Sequence, residues 1–297
     1  MLKLLLIIAF GIWFVMDSRV RYTVFHPHIV LYNAIRDLYL RYKYKKYNEF
    51  NEFGRMIMFI ADEANPFGSG KTLNMVAYAK AIYEIFDGLT IWSKYHKGFV
   101  EQKIKIVSNI TLFNIPYIPL SNEQQIIELS KNEDDSIVYL ILLDEMGSLY
   151  NNREWKTNLS SDMVETILQQ RKAKISFLGT VQNWTLFDIT IRKVTSLVRS
   201  CKKTWRFLVV NEYLACQVER AQFNLELINT TSIKCNFATD NLYNSYDTTE
   251  RVEKLQKEIK EGKMLSSEEI INSSSGQSTD IESLTNVKRR YRKRFKK

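Results

Sequence analysis

Residues that build metal sites, crosslinks and turns are scarce in this chain of 297 residues. The three cysteines, Cys201, Cys216 and Cys235, form no C-x-x-C pair. Their spacing argues against a disulfide framework or a zinc site and favours reduced thiols in a cytosolic domain. Histidines also number only three, and His26 and His28 have no further ligand nearby in sequence, so no metal site is expected there. Four prolines and ten glycines argue against a repeat or low-complexity chain.

Excess positive charge is scarce outside the last ten residues. The formal net charge is +9, but residues 288–297 hold eight basic side chains and no acid, which leaves only +1 for the rest of the chain. The basicity is therefore concentrated in a tail. With 45% hydrophobic residues, the body is long enough for a full α/β core, as one large domain with extensions or as two small domains.

The N-terminus carries an uncharged run, Leu4–Met16, which is shorter than the roughly 20 residues that span a bilayer as a helix. Three interpretations compete: a cleaved signal peptide, a buried core helix and a short signal anchor. No small-residue cleavage site follows the run, and a core helix with no polar face rarely opens a chain. We therefore interpret residues 1–17 as a transmembrane anchor, with Trp13 at an interface and Lys3 reaching the headgroups.

Basic residues follow this anchor more often than they precede it. Lys3 alone lies before it, and seven lie after it: Arg19, Arg21, Arg36, Arg41, Lys43, Lys45 and Lys46. The positive-inside rule then predicts a single-pass protein whose remaining chain is cytoplasmic. Residues 18–53 form a basic, aromatic juxtamembrane segment at helical spacing. It fits a helix lying on the membrane surface or an ordinary helix packed on the main domain.

A glycine-rich loop lies between a predicted strand and a predicted helix. Arg55–Ile60 is an apolar run of strand length, and Leu73–Phe86 is an amphipathic helix. Between them, Asn65–Thr72 reads NPFGSGKT. This matches the G-x-x-x-x-G-K-[ST] phosphate-binding loop except that Asn65 replaces the first glycine. Asparagine tolerates a positive φ, so the loop is still expected to form.

This loop predicts a site for ATP and Mg²⁺. Gly68 and Gly70 let backbone N–H groups turn toward phosphate oxygens. The Lys71 ammonium would reach the β- and γ-phosphates, and the Thr72 hydroxyl would bind Mg²⁺. The predicted nucleotide-binding residues are Asn65, Gly68, Ser69, Gly70, Lys71 and Thr72.

A pair of acids directly follows a second apolar run. Ile137–Leu143 is continuously apolar and is followed by Asp144 and Glu145. Such a run is typical of a central parallel strand, which delivers its acids to the carboxyl edge of the sheet. We predict that Asp144 holds Mg²⁺ and that Glu145 activates the attacking water.

Further site residues are predicted after a third apolar run, Ile175–Thr180, interpreted as the strand beside the acidic one. Either Gln182 or Thr180, at its tip, would contact the γ-phosphate or the water. Arg153 and Arg171 are candidates for an arginine offered to a neighbouring subunit's nucleotide. For Arg171, in the helical stretch 162–174, a solvated position on the helix face is the alternative.

Three more strands are predicted. Ile104–Ile110 is one, and Trp205–Val210 and Tyr213–Arg220 are expected as later strands, in a hairpin that turns at Asn211 and Glu212. Together with the glycine-rich loop and the acidic strand, these strands predict an α/β P-loop NTPase with a central, mostly parallel sheet flanked by helices.

In order and spacing, five of these motifs resemble the zonula occludens toxin-like ATPases of filamentous phages, in the FtsK–HerA division of P-loop motors. The motifs are GSGKT, SNI, LLDE, a helix containing Arg-Lys and a strand ending in TVQN, and the resemblance covers residues 54–240. It implies ATP hydrolysis, assembly into a homo-oligomeric ring, and work on single-stranded phage DNA at the host inner membrane, with phage assembly proteins as partners. Here the membrane segment is N-terminal, whereas family members commonly carry it after the ATPase domain.

The resemblance also implies roles for individual residues. By position, Lys71 and Thr72 would bind nucleotide, Asp144 and Glu145 would act on Mg²⁺ and water, and Gln182 would sense phosphate.

The C-terminal part is polar. Residues 241–265 are expected to include a charged helix, and residues 266–297 a flexible linker and the basic tail. Tyr291 and Phe295 lie within the tail, so stacking on unpaired bases is one expectation. Binding to anionic lipid and a purely solubilising role are the other two expectations for the tail.

Two functions from different classes remain. One is a membrane-anchored ATPase that drives phage DNA packaging, assembly or extrusion. The other is a membrane-tethered assembly factor that binds nucleotide and barely hydrolyses it, which the asparagine at position 65 favours. A GTPase is disfavoured because the sequence has no N-K-x-D motif.

Overall fold

A large, mostly parallel sheet flanked by helices forms the centre of the chain. The computed structural model describes residues 13–15, 17–61, 68–149 and 160–246. Two sequence predictions, the anchor and the basic tail, therefore lie largely or wholly outside the described residues.

The elements are numbered in chain order. The strands are β1 Met56–Ala61, β2 Thr90–Ser93, β3 Gly98–Glu101, β4 Lys103–Ser108, β5 Tyr117–Pro119, β6 Ile137–Leu143, β7 Ile175–Val181, β8 Leu197–Thr204, β9 Phe207–Leu214 and β10 Ser232–Phe237. The helices are α1 Ser18–Phe25, α2 Pro27–Lys43, α3 Lys71–Phe86, α4 Glu123–Ser130, α5 Met146–Leu149, α6 Ser161–Gln169, α7 Ile189–Val194, α8 Ala215–Arg220 and α9 Asp240–Tyr243.

Eight strands form the main sheet in the order β10-β9-β8-β1-β7-β6-β4-β5. From β8 to β5 every neighbouring pair is parallel, whereas β8, β9 and β10 pair antiparallel. The prediction that β7 lies beside the acidic strand is confirmed, and β7 also separates β6 from β1. The carboxyl ends of β1, β4, β6 and β7 therefore meet at one edge of the sheet.

The central strands are buried on both faces, which explains their continuous apolar runs. Met58 and Ile60 pack into a cluster on one face, and Ile57 and Phe59 pack into a second cluster on the other face. Helix α3 buries its apolar stripe, including Met75, against the second cluster. This packing holds the first turn of α3 at the carboxyl edge.

The predicted hairpin near residue 211 is wrong in position. The chain turns at Trp205 and Arg206, and Asn211 and Glu212 lie within β9. Trp205 has a positive φ of 55°, a turn conformation that tryptophan rarely adopts, so its identity gives no turn signal. Residues 215–220 are also helical rather than extended, because Ala215 and Val218 are buried together at helical spacing.

The two N-terminal helices lie outside the sheet's core. Helix α2 has no residue that is buried against the described part of the chain along its 17 residues. Among the described residues, no helix is both long and apolar enough to cross a membrane.

Candidate nucleotide-binding site

The glycine-rich loop leads directly into α3 at the carboxyl edge of β1. Gly68 and Gly70 have positive φ values of 68° and 80°, and Gly70 is the residue that precedes the helix. A Cβ at Gly70 would also lie 3.4 Å from side-chain atoms of Leu208 and Lys203. The left-handed conformation at both positions therefore supports the predicted need for glycine there. Asn65 lies outside the described residues.

Ser69 supplies an observation that favours a ligand in this loop. Its side chain is 3% exposed, and its hydroxyl oxygen has no hydrogen-bond partner among the described residues. A buried hydroxyl without a partner is uncommon, and an anion held by the loop would satisfy it. The first turn of a helix offers unpaired backbone N–H groups to an anion, and Ser69 lies two residues before the first residue of α3.

The Lys71 side chain is half-buried beside the acids. Burial lowers the pKa of its ammonium, and the negative charge of Asp144 is the largest influence acting in the opposite direction. Bound phosphates would stabilise the charged form of Lys71 by the same electrostatic effect.

Two threonine hydroxyls converge on one carboxylate oxygen. Thr72 Oγ1, in the first turn of α3, donates to Asp144 Oδ1 at 2.8 Å. Thr180 Oγ1, near the end of β7, donates to the same oxygen at 2.6 Å. The predicted Mg²⁺ residues, Thr72 and Asp144, are thus brought together by elements that are 72 positions apart in sequence.

The backbone around the acids is held by polar side chains from both neighbouring strands. Asn109, after β4, accepts from Asp144 N at 2.8 Å and donates to Asp144 O at 3.1 Å. Thr180 Oγ1 accepts from Glu145 N at 2.9 Å. Glu145 itself is exposed and has a positive φ of 52°. These contacts hold the backbone of both acids in place.

The other predicted residues are placed in two different regions. Gln182 is exposed directly after β7, at the same edge as Asp144. Arg171 lies at the opposite edge, because a Cβ at Gly54, before β1, would be 2.5 Å from Arg171 Cα. Within one subunit Arg171 is therefore remote from the glycine-rich loop. Arg153 lies outside the described residues.

Two residues were given no role by the sequence prediction. Asn109 lies within the SNI motif, at the end of the predicted strand Ile104–Ile110, and the family resemblance was the only signal for it. Tyr246 is the last described residue of the chain, and a β-bridge to Leu112 holds it near the site. Burial raises the pKa of Tyr246 to about 12, and the charge of Asp144 adds to the effect. No local pattern marks Tyr246, because its position depends on the chain returning across the sheet edge.

The residues present fit a nucleotide with Mg²⁺ better than a protein-only metal site. No group of three or more His, Cys, Asp or Glu side chains suited to a metal exists within the described ranges. Mg²⁺ commonly takes one or two carboxylates together with substrate phosphates and water. Asp144, the Thr72 hydroxyl and phosphates in the loop would provide such a set.

Comparison with known protein families gives a direct match. The family model described as zonular occludens toxin (Zot) matches residues 59–250, which is more than half of the chain. That range contains the described part of the glycine-rich loop and both acids. No match was found among curated proteins.

Similar solved structures include the N-terminal domain of zonular occludens toxin from Neisseria meningitidis. It is 14% identical, with a TM-score of 0.42 over 66% of this chain and 100% of that chain. Another is the genome packaging NTPase B204 from Sulfolobus turreted icosahedral virus 2 in complex with ATP-gammaS. It is 9% identical, with a TM-score of 0.35 over 63% of this chain and 98% of that chain. On the family match over residues 59–250, this chain belongs to the zonular occludens toxin (Zot) family.

Proposed function

We propose that this chain is a P-loop ATPase that hydrolyses ATP with Mg²⁺. The observation that carries the proposal is the convergence of Thr72 and Thr180 on Asp144 Oδ1, at 2.8 and 2.6 Å. It connects the start of the loop helix to the acidic strand, at the edge where a phosphate chain in the loop would end. The buried, unpartnered Ser69 hydroxyl supports the same assignment.

Each residue has a separate role in this proposal. Backbone N–H groups of residues 68–72 and the Lys71 ammonium bind and orient the phosphates. Thr72 and Asp144 would hold Mg²⁺, which when bound supplies positive charge beside the β- and γ-phosphate oxygens. Glu145 takes a proton from the attacking water and orients it. Thr180 fixes the direction of both acids, and Gln182 contacts the γ-phosphate or the water.

We further propose that hydrolysis drives packaging, assembly or extrusion of single-stranded phage DNA by a homo-oligomeric ring. The Zot family membership and the basic tail of residues 288–297 support this. In such a ring Arg171 or Arg153 would act on a neighbour's nucleotide, which is compatible with the distance of Arg171 from its own loop. Phage assembly proteins would be further partners.

The proposed location is the host inner membrane, with the ATPase domain in the cytoplasm. Residues 1–17 would anchor the chain, and α2 would lie along the surface. Six side chains of one stripe of α2 are 59–78% exposed: Leu31, Tyr32, Ile35, Leu38, Tyr39 and Tyr42. Arg36, Arg41 and Lys43 lie on the remaining surface of the helix. These cations flank the stripe, and an apolar stripe flanked by cations suits an anionic bilayer interface.

The test of this proposal is ATP hydrolysis by the full chain in anionic nanodiscs, with and without single-stranded DNA, beside Lys71→Ala. Turnover that rises with DNA and is lost in the variant supports the motor. A wild-type rate in Lys71→Ala contradicts the site assignment.

One alternative has a specific observation in its favour. Asn65 replaces the first glycine of the loop, which favours a membrane-tethered assembly factor that binds nucleotide and barely hydrolyses it. Tight ATP binding with no turnover, even with DNA and lipid present, would select this alternative.

A further inference from the structure

Asn109 lies directly after β4 and makes two hydrogen bonds to one residue, Asp144. Its side-chain Oδ1 accepts from the Asp144 N–H at 2.8 Å, and its Nδ2 donates to the Asp144 carbonyl oxygen at 3.1 Å. Both bonds go to the backbone of Asp144, whose carboxylate accepts from the Thr72 and Thr180 hydroxyls. The amide therefore acts on this acid through its backbone.

The two bonds extend the parallel pairing of β4 with β6 by one step. At one end of the pairing the Lys103 N–H donates to Ser136 O at 3.0 Å. At the other end the Asn109 N–H donates to Leu142 O at 3.3 Å. Because the bonds of a parallel pair are evenly spaced, the next acceptor, for the Asp144 N–H, would be the backbone carbonyl of Asn109. Its side-chain oxygen takes that place instead.

An asparagine side chain has the chemistry that this place requires. Its amide offers an acceptor oxygen and a donor nitrogen, as a backbone peptide unit does. An aspartate carboxylate of the same size would accept from the N–H but has no proton to donate to the carbonyl, and a leucine could do neither. The Asn109 amide thus replaces a peptide unit of β4 beyond the end of the strand.

The backbone around Asn109 is itself fixed. The Ser108 hydroxyl donates to the Ile110 carbonyl at 2.9 Å and accepts from the Ile110 N–H at 3.2 Å. Ile110 is buried, and so is Leu112, which forms the β-bridge to Tyr246. A side chain positions another group well only when its own place is determined by packing and hydrogen bonds. Asn109 meets that condition.

The conformation of Glu145 is a second observation, independent of the ladder. Its φ of 52° lies in the left-handed region, which costs free energy in a residue other than glycine. Such a conformation persists where the surrounding contacts determine it. Asn109 binds the carbonyl of the peptide unit between Asp144 and Glu145, and Thr180 Oγ1 accepts the N–H of the same unit. Side chains that follow or end the two neighbouring strands therefore hold one peptide unit from both sides.

We propose that Asn109 is a positioning residue, which together with Thr180 fixes the peptide unit between Asp144 and Glu145 and so keeps the two carboxylates in one relation to each other. The inference rests on the proposed function for the roles of these acids. Asn109 acts through them and not on the phosphates, which residues 68–72 bind. It therefore controls the use of Mg²⁺ and the chemical step, and not the affinity for the nucleotide alone.

The experiment uses the full chain carrying Asn109→Leu, which is close in size and removes both bonds. ATP hydrolysis is measured over a range of ATP and Mg²⁺ concentrations, and binding of a fluorescent ATP analogue is measured with and without Mg²⁺. The variant should lower kcat by about 10- to 100-fold and raise the Mg²⁺ concentration needed for half-maximal hydrolysis. Its affinity for the analogue without Mg²⁺ should equal that of wild type, and the gain in affinity on adding Mg²⁺ should be reduced.

Asn132→Leu is the matched control. The Asn132 amide also makes one bond as donor, to the Tyr139 hydroxyl at 3.2 Å, and one as acceptor, from the Asp134 N–H at 3.1 Å. It lies near the amino end of β6, away from the acids, so its loss should leave kcat and the Mg²⁺ dependence unchanged. Asn109→Ser is the second test variant, because one short hydroxyl cannot replace the amide but leaves room for water. It should lower kcat as well, and it tests the claim if the leucine variant does not fold.

A wild-type kcat in either folded variant of Asn109 would overturn the proposal. So would a loss of kcat in Asn132→Leu as large as that in Asn109→Leu, because the effect would then reflect general destabilisation. Analogue binding separates this failure from that of the proposed function. A wild-type chain that does not hydrolyse ATP, but whose gain from Mg²⁺ depends on Asn109, would contradict the ATPase and support the positioning role. A wild-type chain with neither hydrolysis nor a gain from Mg²⁺ would overturn both.

Discussion

Thr180 Oγ1 lies 2.6 Å from Asp144 Oδ1 and also accepts the Glu145 N–H at 2.9 Å. One hydroxyl on β7 therefore orients both consecutive acids at the end of β6. This arrangement requires β7 to lie directly beside β6, which the parallel register from Tyr139 to Leu143 provides. Strand β7, which lies between β1 and β6, thus positions the acids.

Thr180→Val should lower kcat by about 10- to 100-fold, because it removes hydrogen bonds to a charged group and to the Glu145 backbone. Nucleotide affinity should change little, since no contact to the phosphate loop is lost. Thr180→Ser should restore most of the rate. Ser176→Ala is the control, because the Ser176 hydroxyl on the same strand is buried and has no hydrogen-bond partner among the described residues. Equal rates for Thr180→Val and wild type would contradict the positioning role.

Gly54→Ala should destabilise the protein more than Gly88→Ala. Both glycines have a positive φ, of 70° and 76°. A Cβ at Gly54 would lie 2.5 Å from Arg171 Cα, whereas one at Gly88 would meet nothing within 4 Å. The left-handed conformation costs about 1 kcal/mol or slightly more in both variants, and overpacking adds about 1–3 kcal/mol at position 54 alone. Urea unfolding measures the difference, and equal losses would contradict the close approach.

The sequence predicted the centre of the fold better than its edges. The strands of Ile57, Leu140 and Phe177 are buried on both faces, so their apolar runs are long and unambiguous. The loop and the acids are short motifs at strand ends, which local patterns reveal. By contrast, Trp205 gives no turn signal. The position of Tyr246 near the acids depends on a β-bridge to Leu112, which is distant in sequence, so no local pattern predicts it.

The thiol of Cys201 should be far less reactive than those of Cys216 and Cys235. Burial raises the pKa of Cys201 to about 12, whereas the other two cysteines are exposed. At pH 8 its thiolate fraction should be about a thousandfold below that of a thiol with an unshifted pKa of 9. Two equivalents of a thiol reagent should react with the native chain and three after denaturation.

The same shift has a consequence for stability. Because burial raises the pKa of the Cys201 thiol, the folded state favours the neutral thiol over the thiolate. Its contribution to stability is fully present below about pH 9 and is lost as the pH rises from about 9 toward about 12. Rapid reaction of three thiols in the native chain would contradict the burial of Cys201.

Helix α2 should enter the interface of anionic vesicles with one face. In a Cys216→Ser, Cys235→Ser background, a polarity-sensitive label at position 31, 35 or 38 should report an apolar environment on adding vesicles with anionic lipid. The same label at position 33, 37 or 40 should show no such response, because those positions lie on the opposite side of the helix. This periodicity separates insertion of α2 from tethering by residues 1–17. A uniform response at all six positions would contradict the in-plane helix.

The most direct test of the central claim is ATP hydrolysis by the full chain carrying Glu145→Gln, together with its affinity for a fluorescent ATP analogue. We predict that hydrolysis is abolished and that ATP binding is retained, because Glu145 acts on the water while residues 68–72 hold the phosphates. A wild-type hydrolysis rate in Glu145→Gln would contradict the assignment of the catalytic acid.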